Sequence, residues 1–306
     1  MADAEIILHH YPASPFSEKA RLALGLTGLP WRSVITPNMM PKPDLVPLTG
    51  GYRRAPVMQI GADIYCDSQV ILAEIAKRGQ GASIARGAAG PINLWADRLF
   101  FQVTVAVIFG ELGDSVPKDF IADREKLSGR PFDTAAMKAV ALPMRQQWRA
   151  HAAWIDNALA DGPWLAGDAP SLADISAFMN IWWLGGAMPK IAKDLSVGFD
   201  RLADWSQRMA AIGHGAHSEM TGAEALSVAR NTQPGPTPEH DIADPLGLAP
   251  GAAVVVMADD YGRDPIEGKL VAANRERIVI ARETADLGLL HVHFPRAGFF
   301  AAPAGQ

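Results

Sequence analysis

The first eighty residues alternate between two hydrophobic periods, and this alternation constrains the fold more than any other feature of the chain. Ile6 to His9 is a short apolar run that predicts a buried strand. After a turn at Pro12, Ser14-Pro15 presents an N-capping hydroxyl followed by a proline at the first helical position, where a missing N–H is harmless. Phe16, Ala20, Ala23, Leu24 and Thr27 recur at helical spacing until Gly28 and Pro30 stop the helix. Trp31 to Thr36 is β-branched and alternating, which predicts a second strand. Beyond Pro37, Pro41, Pro43 and Pro47, the runs Ala55–Ile60 and Asp63–Cys66 flank Gly61-Ala62 and predict a hairpin. Asp67-Ser68 then opens a helix with Val70, Ile71, Leu72 and Ile75 largely on one side. The order is β-α-β, then β-β-α.

That order is the order of a thioredoxin-like α/β domain, expected here over residues 1–80. Residues 79–90 are rich in Gly and Ala and read as a linker. From Pro91 to about Val228 the period is helical, broken at Gly129 to Pro131, and Trp95, Leu99, Trp148, Trp154, Trp182 and Trp183 suit helix interfaces. An all-α bundle domain is therefore expected over 88–230. Residues 231–247 are Pro-rich without an apolar period and predict a stiff linker. Four short β-rich segments follow: Ala252–Met257, Lys269–Ala272, Arg277–Ala281 and Leu289–Phe294. They predict a small all-β domain over 248–306, either a barrel or a sandwich. A chain of 306 residues is long enough for two or three such domains.

Composition excludes several classes. With 49% hydrophobic residues the chain can build real cores, and its formal charge of −5 without a Lys/Arg block argues against nucleic acid as a partner. No apolar run approaches the ~20 residues of a membrane span, and the start lacks the pattern of a secretory leader, so a cytoplasmic protein is expected. The single cysteine, Cys66, rules out an internal disulfide and a Cys-X-X-Cys redox centre.

Three local signatures share one resemblance. Ser14-Pro15-Phe16-Ser17-Glu18-Lys19-Ala20-Arg21 resembles the first helix of glutathione transferases whose active-site residue is serine or cysteine. Arg54-Ala55-Pro56-Val57-Met58, with Asp67-Ser68 eleven residues after the proline, resembles their cis-proline loop and γ-glutamyl-binding turn. Trp164-Leu165-Ala166-Gly167-Asp168-Ala169-Pro170-Ser171-Leu172-Ala173-Asp174 resembles the capping motif of their helical domain. The resemblance covers roughly residues 5–230. It is nearest to a branch with Tyr52-Arg53-Arg54-Ala55-Pro56 and Tyr65-Cys66-Asp67-Ser68, which carries a C-terminal extension. One departure stands out. The usual Asn-Pro then Gly-Lys before the proline is replaced by Val46-Pro47-Leu48-Thr49-Gly50-Gly51-Tyr52-Arg53-Arg54.

The resemblance implies a site for glutathione as co-substrate. A helix N-terminus attracts an anion, so Ser68 can donate to the γ-glutamyl carboxylate while Asp67 accepts from the ammonium. A cis bond at Pro56 leaves the N–H and C=O of Ala55 free to pair with the cysteinyl unit as an added strand would. Ser14 is the candidate catalytic residue: its hydroxyl can donate to the thiolate beside a helix N-terminus, where thiol pKa values fall. Ser17 is the rival. Lys42, Arg53 or Arg54 can reach the glycyl carboxylate, and Asn38 has no better support. For an isolated Asp-Ser pair or a lone surface cation, a helix cap or a solvated charge would be the ordinary explanation.

Ser171 with Asp174 is read as structural, a capping box. Cys66 is read as a small buried hydrophobe in preference to a redox thiol. His9 and His10 lie near the expected site without a matching acid. His291 and His293 alternate on a strand and would need a carboxylate to hold a metal; none is evident, so no metal is expected. Phe100, Phe101, Trp182, Trp183 and Met188 are candidates for an electrophile pocket, although helical aromatics are usually core. The resemblance implies a homodimer that conjugates glutathione to a small apolar electrophile, a detoxification-type transferase. Glutathione-dependent reduction or isomerisation, and non-catalytic binding, are the alternatives. The β module can cover the usual dimer interface or lie over the substrate cleft.

Overall fold

A computed structural model describes residues 5–79 and 84–305. The first unit is built as its local signals require. Strand β1 (Ile6–His10) pairs in parallel with β2 (Trp31–Ile35) across helix α1 (Pro15–Thr27). Ser14 caps α1 by accepting from the Ser17 amide at 3.1 Å, and Gly28 ends it at φ 67°, a left-handed conformation that glycine adopts without steric penalty. Strand β3 (Val57–Ile60) runs antiparallel to β1 and to β4 (Asp63–Cys66). Helix α3 (Ser68–Arg78) then starts under Asp67, whose Oδ1 accepts from the Gln69 amide at 2.9 Å. A short helix α2 (Val46–Thr49), unforeseen in the Pro-rich stretch, precedes β3.

The expected linker at 79–90 falls partly on residues 80–83, outside the described residues. A continuous helical rod over 89–115 follows: α4 (Ala89–Leu94), a π-helical stretch (Trp95–Phe100) and α5 (Phe101–Leu112). Its length and hydropathy would suit a membrane span, but here it packs against other helices. These include α7 (Thr134–Ala139), α8 (Ala141–Ala158) and α9 (Leu172–Ala187). Between them α6 (Lys118–Ser128) ends at Gly129, where the break was expected. Ser171 and Asp174 form the capping box of α9, and Asp174 also accepts from Trp205 Nε1 at 2.9 Å. Trp205 lies on α11 (Asp200–Ile212), which follows the short α10 (Pro189–Leu195). Residues 217–219, read as helical, instead form β5 (His217–Glu219), parallel to β2, before α12 (Gly222–Arg230).

The C-terminal module differs from a free-standing barrel or sandwich. Its strands are β6 (Ala253–Ala258), β7 (Ile266–Ala273), β8 (Arg277–Thr284), β9 (Gly288–Pro295) and β10 (Phe299–Pro303). Their order is open, β10-β6-β7-β8-β9, and β9 continues in parallel alongside β4 to make one ten-stranded sheet. The reason is visible in the alternation of β3 and β4. Met58, Ile60 and Tyr65 point into the core shared with the helices, whereas Val57, Ile64 and Cys66 point to the opposite face. That face needs a cover. Val254, Val256, Ile278, Ile280, Val292 and Phe294 join it in a second core. Residues 231–247, expected as a stiff spacer, hold no helix or strand and run back along the sheet, with the Gly235 amide on Asp63 Oδ2 at 2.6 Å.

Candidate functional site

A cavity of about 50 Å³ opens where all three parts of the chain meet. The first unit contributes Ala55, Pro56, Asp67 and Ser68, together with Phe16 and Arg54; the helical rod contributes Asp97 and Arg98. Asp260, Tyr261, Gly298 and Phe299 of the C-terminal module close the remaining side. The Ala55–Pro56 bond is cis, and so is Met40–Pro41. Asp67 sits at φ 88° as the cap of α3, and burial raises its carboxyl pKa against the opposing pull of the Gln69 amide and Arg54.

Four of the expected ligand-binding residues, Ala55, Pro56, Asp67 and Ser68, thus share one wall. Lys42 does not join them. Its ammonium is buried and donates to the Arg53 carbonyl at 2.8 Å, and burial lowers its pKa to about 8. Arg53 turns to Asp123 at 3.0 Å on α6, and the Asn38 carbonyl accepts from Arg124. Arg54 alone of these basic candidates reaches the cavity. Ser14 is almost fully buried at the start of α1 and is not part of the lining. Its Oγ accepts from the Ser17 amide, which leaves its hydroxyl proton without an acceptor among the described residues. The Ser17 hydroxyl is buried without a partner among the described residues.

One polar cluster escaped the sequence reading. Lys19 is fully buried, and its ammonium reaches Asp97 at 2.6 and 2.9 Å, Asn93 at 2.6 Å and Ser68 Oγ at 3.3 Å. The ammonium donates to the Ser68 oxygen, so the serine proton stays available for an acceptor in the cavity. Burial raises the Asp97 pKa to about 6, with Lys19 opposing. The available signal was a lysine one residue before Ala20 on the apolar side of α1, because a buried charge requires a partner.

Cys66, His9, His10 and His293 are held in structural contacts. Cys66 is buried in the second core, which pushes its thiol pKa well up. His9 bonds Gln59 at 2.9 Å, and His10 bonds Ser33 and Arg21; burial lowers their pKa values to about 4 and about 3. The acid missing for the strand histidines is Asp63, which the β4–β9 pairing places 2.8 Å from His293 Nε2. Among the described residues no group of three ligands is arranged for a metal. Of the pocket aromatics, Phe101 stacks on Trp183 and meets Phe16 edge-on, whereas Phe100 is core against Trp148.

A thioredoxin-like sheet with a capped α3 and a cis-proline, joined to a helical bundle, defines a two-part architecture. The comparisons name its class. The description "Glutathione S-transferase, N-terminal domain" matches residues 8–83, and "Glutathione S-transferase, C-terminal domain" matches residues 105–208. A glutathione-S-transferase-like protein from Pseudomonas syringae is 34% identical over 98% of this chain and 99% of its own, with a TM-score of 0.78. A poplar glutathione transferase is 15% identical, covering 67% of this chain and 92% of its own, with a TM-score of 0.53. A glutathione S-transferase from Rhodospirillum rubrum is 19% identical, covering 67% and 88%, with a TM-score of 0.50. No curated protein matches the chain. The chain belongs to the glutathione S-transferase family, and its likeness to the Pseudomonas protein extends through the C-terminal strands.

Proposed function

We propose that the protein binds glutathione and transfers it to a small apolar electrophile. The observation carrying this reading is the shared wall of Ala55, cis-Pro56, Asp67 and Ser68 at the N-terminus of α3. In this reading Ser68, its oxygen occupied by Lys19, donates to the γ-glutamyl carboxylate. Asp67 accepts from the ammonium. The cysteinyl unit pairs with the backbone of Ala55, and the small cavity holds the amino-acid end alone. Ser14 keeps a hydroxyl proton for the thiolate beside the N-terminus of α1, and a lowered thiol pKa raises the population that attacks. Phe16, Phe101 and Trp183 offer an apolar surface for the electrophile. Lys42 is assigned the glycyl carboxylate only if its bond to Arg53 opens.

Calorimetry with glutathione, followed by a conjugation assay with an aryl halide, tests the reading. Ser14→Ala should lower turnover at neutral pH about tenfold to a hundredfold, the worth of one hydrogen bond to an anion, and raise the kinetic pKa. Ser14→Thr should retain most activity. An unchanged pH profile in Ser14→Ala would remove Ser14 from the mechanism. Non-catalytic binding is the second reading, favoured by the burial of Ser14 outside the cavity lining; it predicts heat with glutathione but no turnover. Thiol reduction through Cys66 has least support, because that thiol is buried with a raised pKa. A soluble homodimer in the cytoplasm fits this reading, and sedimentation would test the dimer.

A further inference from the structure

The C-terminal module does more than lengthen the sheet, because the segment joining β6 to β7 forms a wall of the cavity. That segment is anchored on three sides. Asp260 pairs with Arg54 at 2.7 Å, Asp259 with Arg98 at 2.5 Å, and the Gly262 amide donates to the Leu127 carbonyl at 2.8 Å. The Arg54 guanidinium also lies 4.2 Å from the centre of the Tyr261 ring. The turn before β10 is tied to the same segment, with the Asp259 amide on the Gly298 carbonyl at 2.9 Å. Groups held this way are positioned before a ligand arrives.

Asp260 and Asp67 both line this cavity, each with one carboxylate oxygen engaged. Asp260 Oδ1 accepts from Arg54 and from the Tyr261 amide at 2.7 Å, and Asp67 Oδ1 accepts from the Gln69 amide. Among the described residues neither Oδ2 has a donor. The charge of Asp260 contributes to raising the Asp67 pKa, so the two carboxylates are within electrostatic reach of one another. Two anions across a small volume, next to the Ser68 hydroxyl and the amides opening α3, complement a group that carries a cation beside a carboxylate. A free α-amino-acid end is such a group.

We propose that Asp260 is a second acceptor for the ligand ammonium, opposite Asp67, which makes the C-terminal module a specificity-determining wall for ligands with a free α-amino group. This inference rests on the glutathione reading. The test is calorimetry of the full chain with glutathione and with the same tripeptide lacking its α-amino group, glutaryl-cysteinyl-glycine. Wild type should prefer glutathione at least tenfold. Asp260→Asn, which keeps an Oδ1 acceptor for Arg54, should weaken glutathione about tenfold and change the deaminated tripeptide less than twofold, and Asp260→Glu should recover part of the loss. Equal weakening of both ligands overturns the proposal, since the wall would then be structural. Tighter glutathione binding also overturns it, since Asp260 would then be competing with the ligand for Arg54. A wild-type preference below threefold overturns it whatever the variants do. If wild type binds neither tripeptide, the glutathione reading fails; if it binds both alike, only the role of Asp260 fails.

Discussion

The two edges of the thioredoxin-like sheet are treated in opposite ways. At the β2 edge the chain adds β5, three exposed residues, and the neighbouring apolar cluster is only Ile7, Val34 and Ala225 with Met220 and Val228 beside it. At the β4 edge it adds five strands and a second core that includes Tyr52, Ile64, Cys66, Val292, Phe294 and Phe299. An unpaired edge can be silenced by a few hydrogen bonds. Building a wall of the cavity needs more, because the wall must be held by burial on the scale of a domain core. The β4 edge is thus a structural seam, and the β2 edge is a cap.

The largest effect should come from breaking the seam. Phe294 is fully buried and packs against Tyr52 and Phe299, with ring centres 6.2 and 5.5 Å away. Phe294→Ala should destabilise by about 3–5 kcal/mol through lost transfer energy and a residual cavity. Urea unfolding is the measurement. It should also weaken any ligand that depends on Asp260, since Phe299 lines the same cavity. A loss below about 1 kcal/mol would mean that β9 merely covers the edge, as β5 does.

How far the sequence was legible follows the same division. The β-α-β-β-β-α order and the caps at Ser14, Asp67 and Ser171 depend on signals within a few residues of each other, and the cis bond at Pro56 follows from the family resemblance. All of these features are present. What escaped joins distant segments: Lys19 to Asp97 across 78 residues, Arg54 to Asp260 across 206, and His293 to Asp63 across 230. Alternation showed that β9 had an apolar side but could not say which edge it would cover. With the edge unknown, Asp63 could not be matched to His293, nor Asp260 to the cavity beside Asp67. Lys42 differs in another way: its ammonium is turned inward to the Arg53 carbonyl, which the unusual loop before Pro56 supplies.

Acid separates the middle of the sheet from both edges. His9 on β1 is buried as the neutral ring, and burial lowers its pKa from 6.5 to about 4. The unfolded chain therefore binds a proton below pH 6.5 that the folded chain does not. This stability is complete above 6.5 and falls away as the pH drops toward 4, by about 1.4 kcal/mol per pH unit and roughly 3 kcal/mol in all. His9→Gln should flatten that limb by one proton in urea melts taken from pH 7 to pH 4. An unchanged slope would place the acid sensitivity elsewhere, for example at His291 on the seam, whose pKa burial also lowers.

The smallest effect is expected at the β2 edge. His217 on β5 is exposed, and its ring stacks on Trp31 at 4.6 Å and 21°. Replacing it with alanine removes one aromatic pair and leaves the β2–β5 backbone pairing intact, so the loss should be about 1 kcal/mol. The thermal midpoint should fall slightly, and glutathione heat should not change, because no residue of β5 lines the cavity. A loss approaching that of Phe294→Ala would contradict the view of this edge as a cap. The short strand would then be clamping α11 to the sheet through Trp31, whose indole N–H donates to the His214 carbonyl at 2.8 Å, just past the end of that helix.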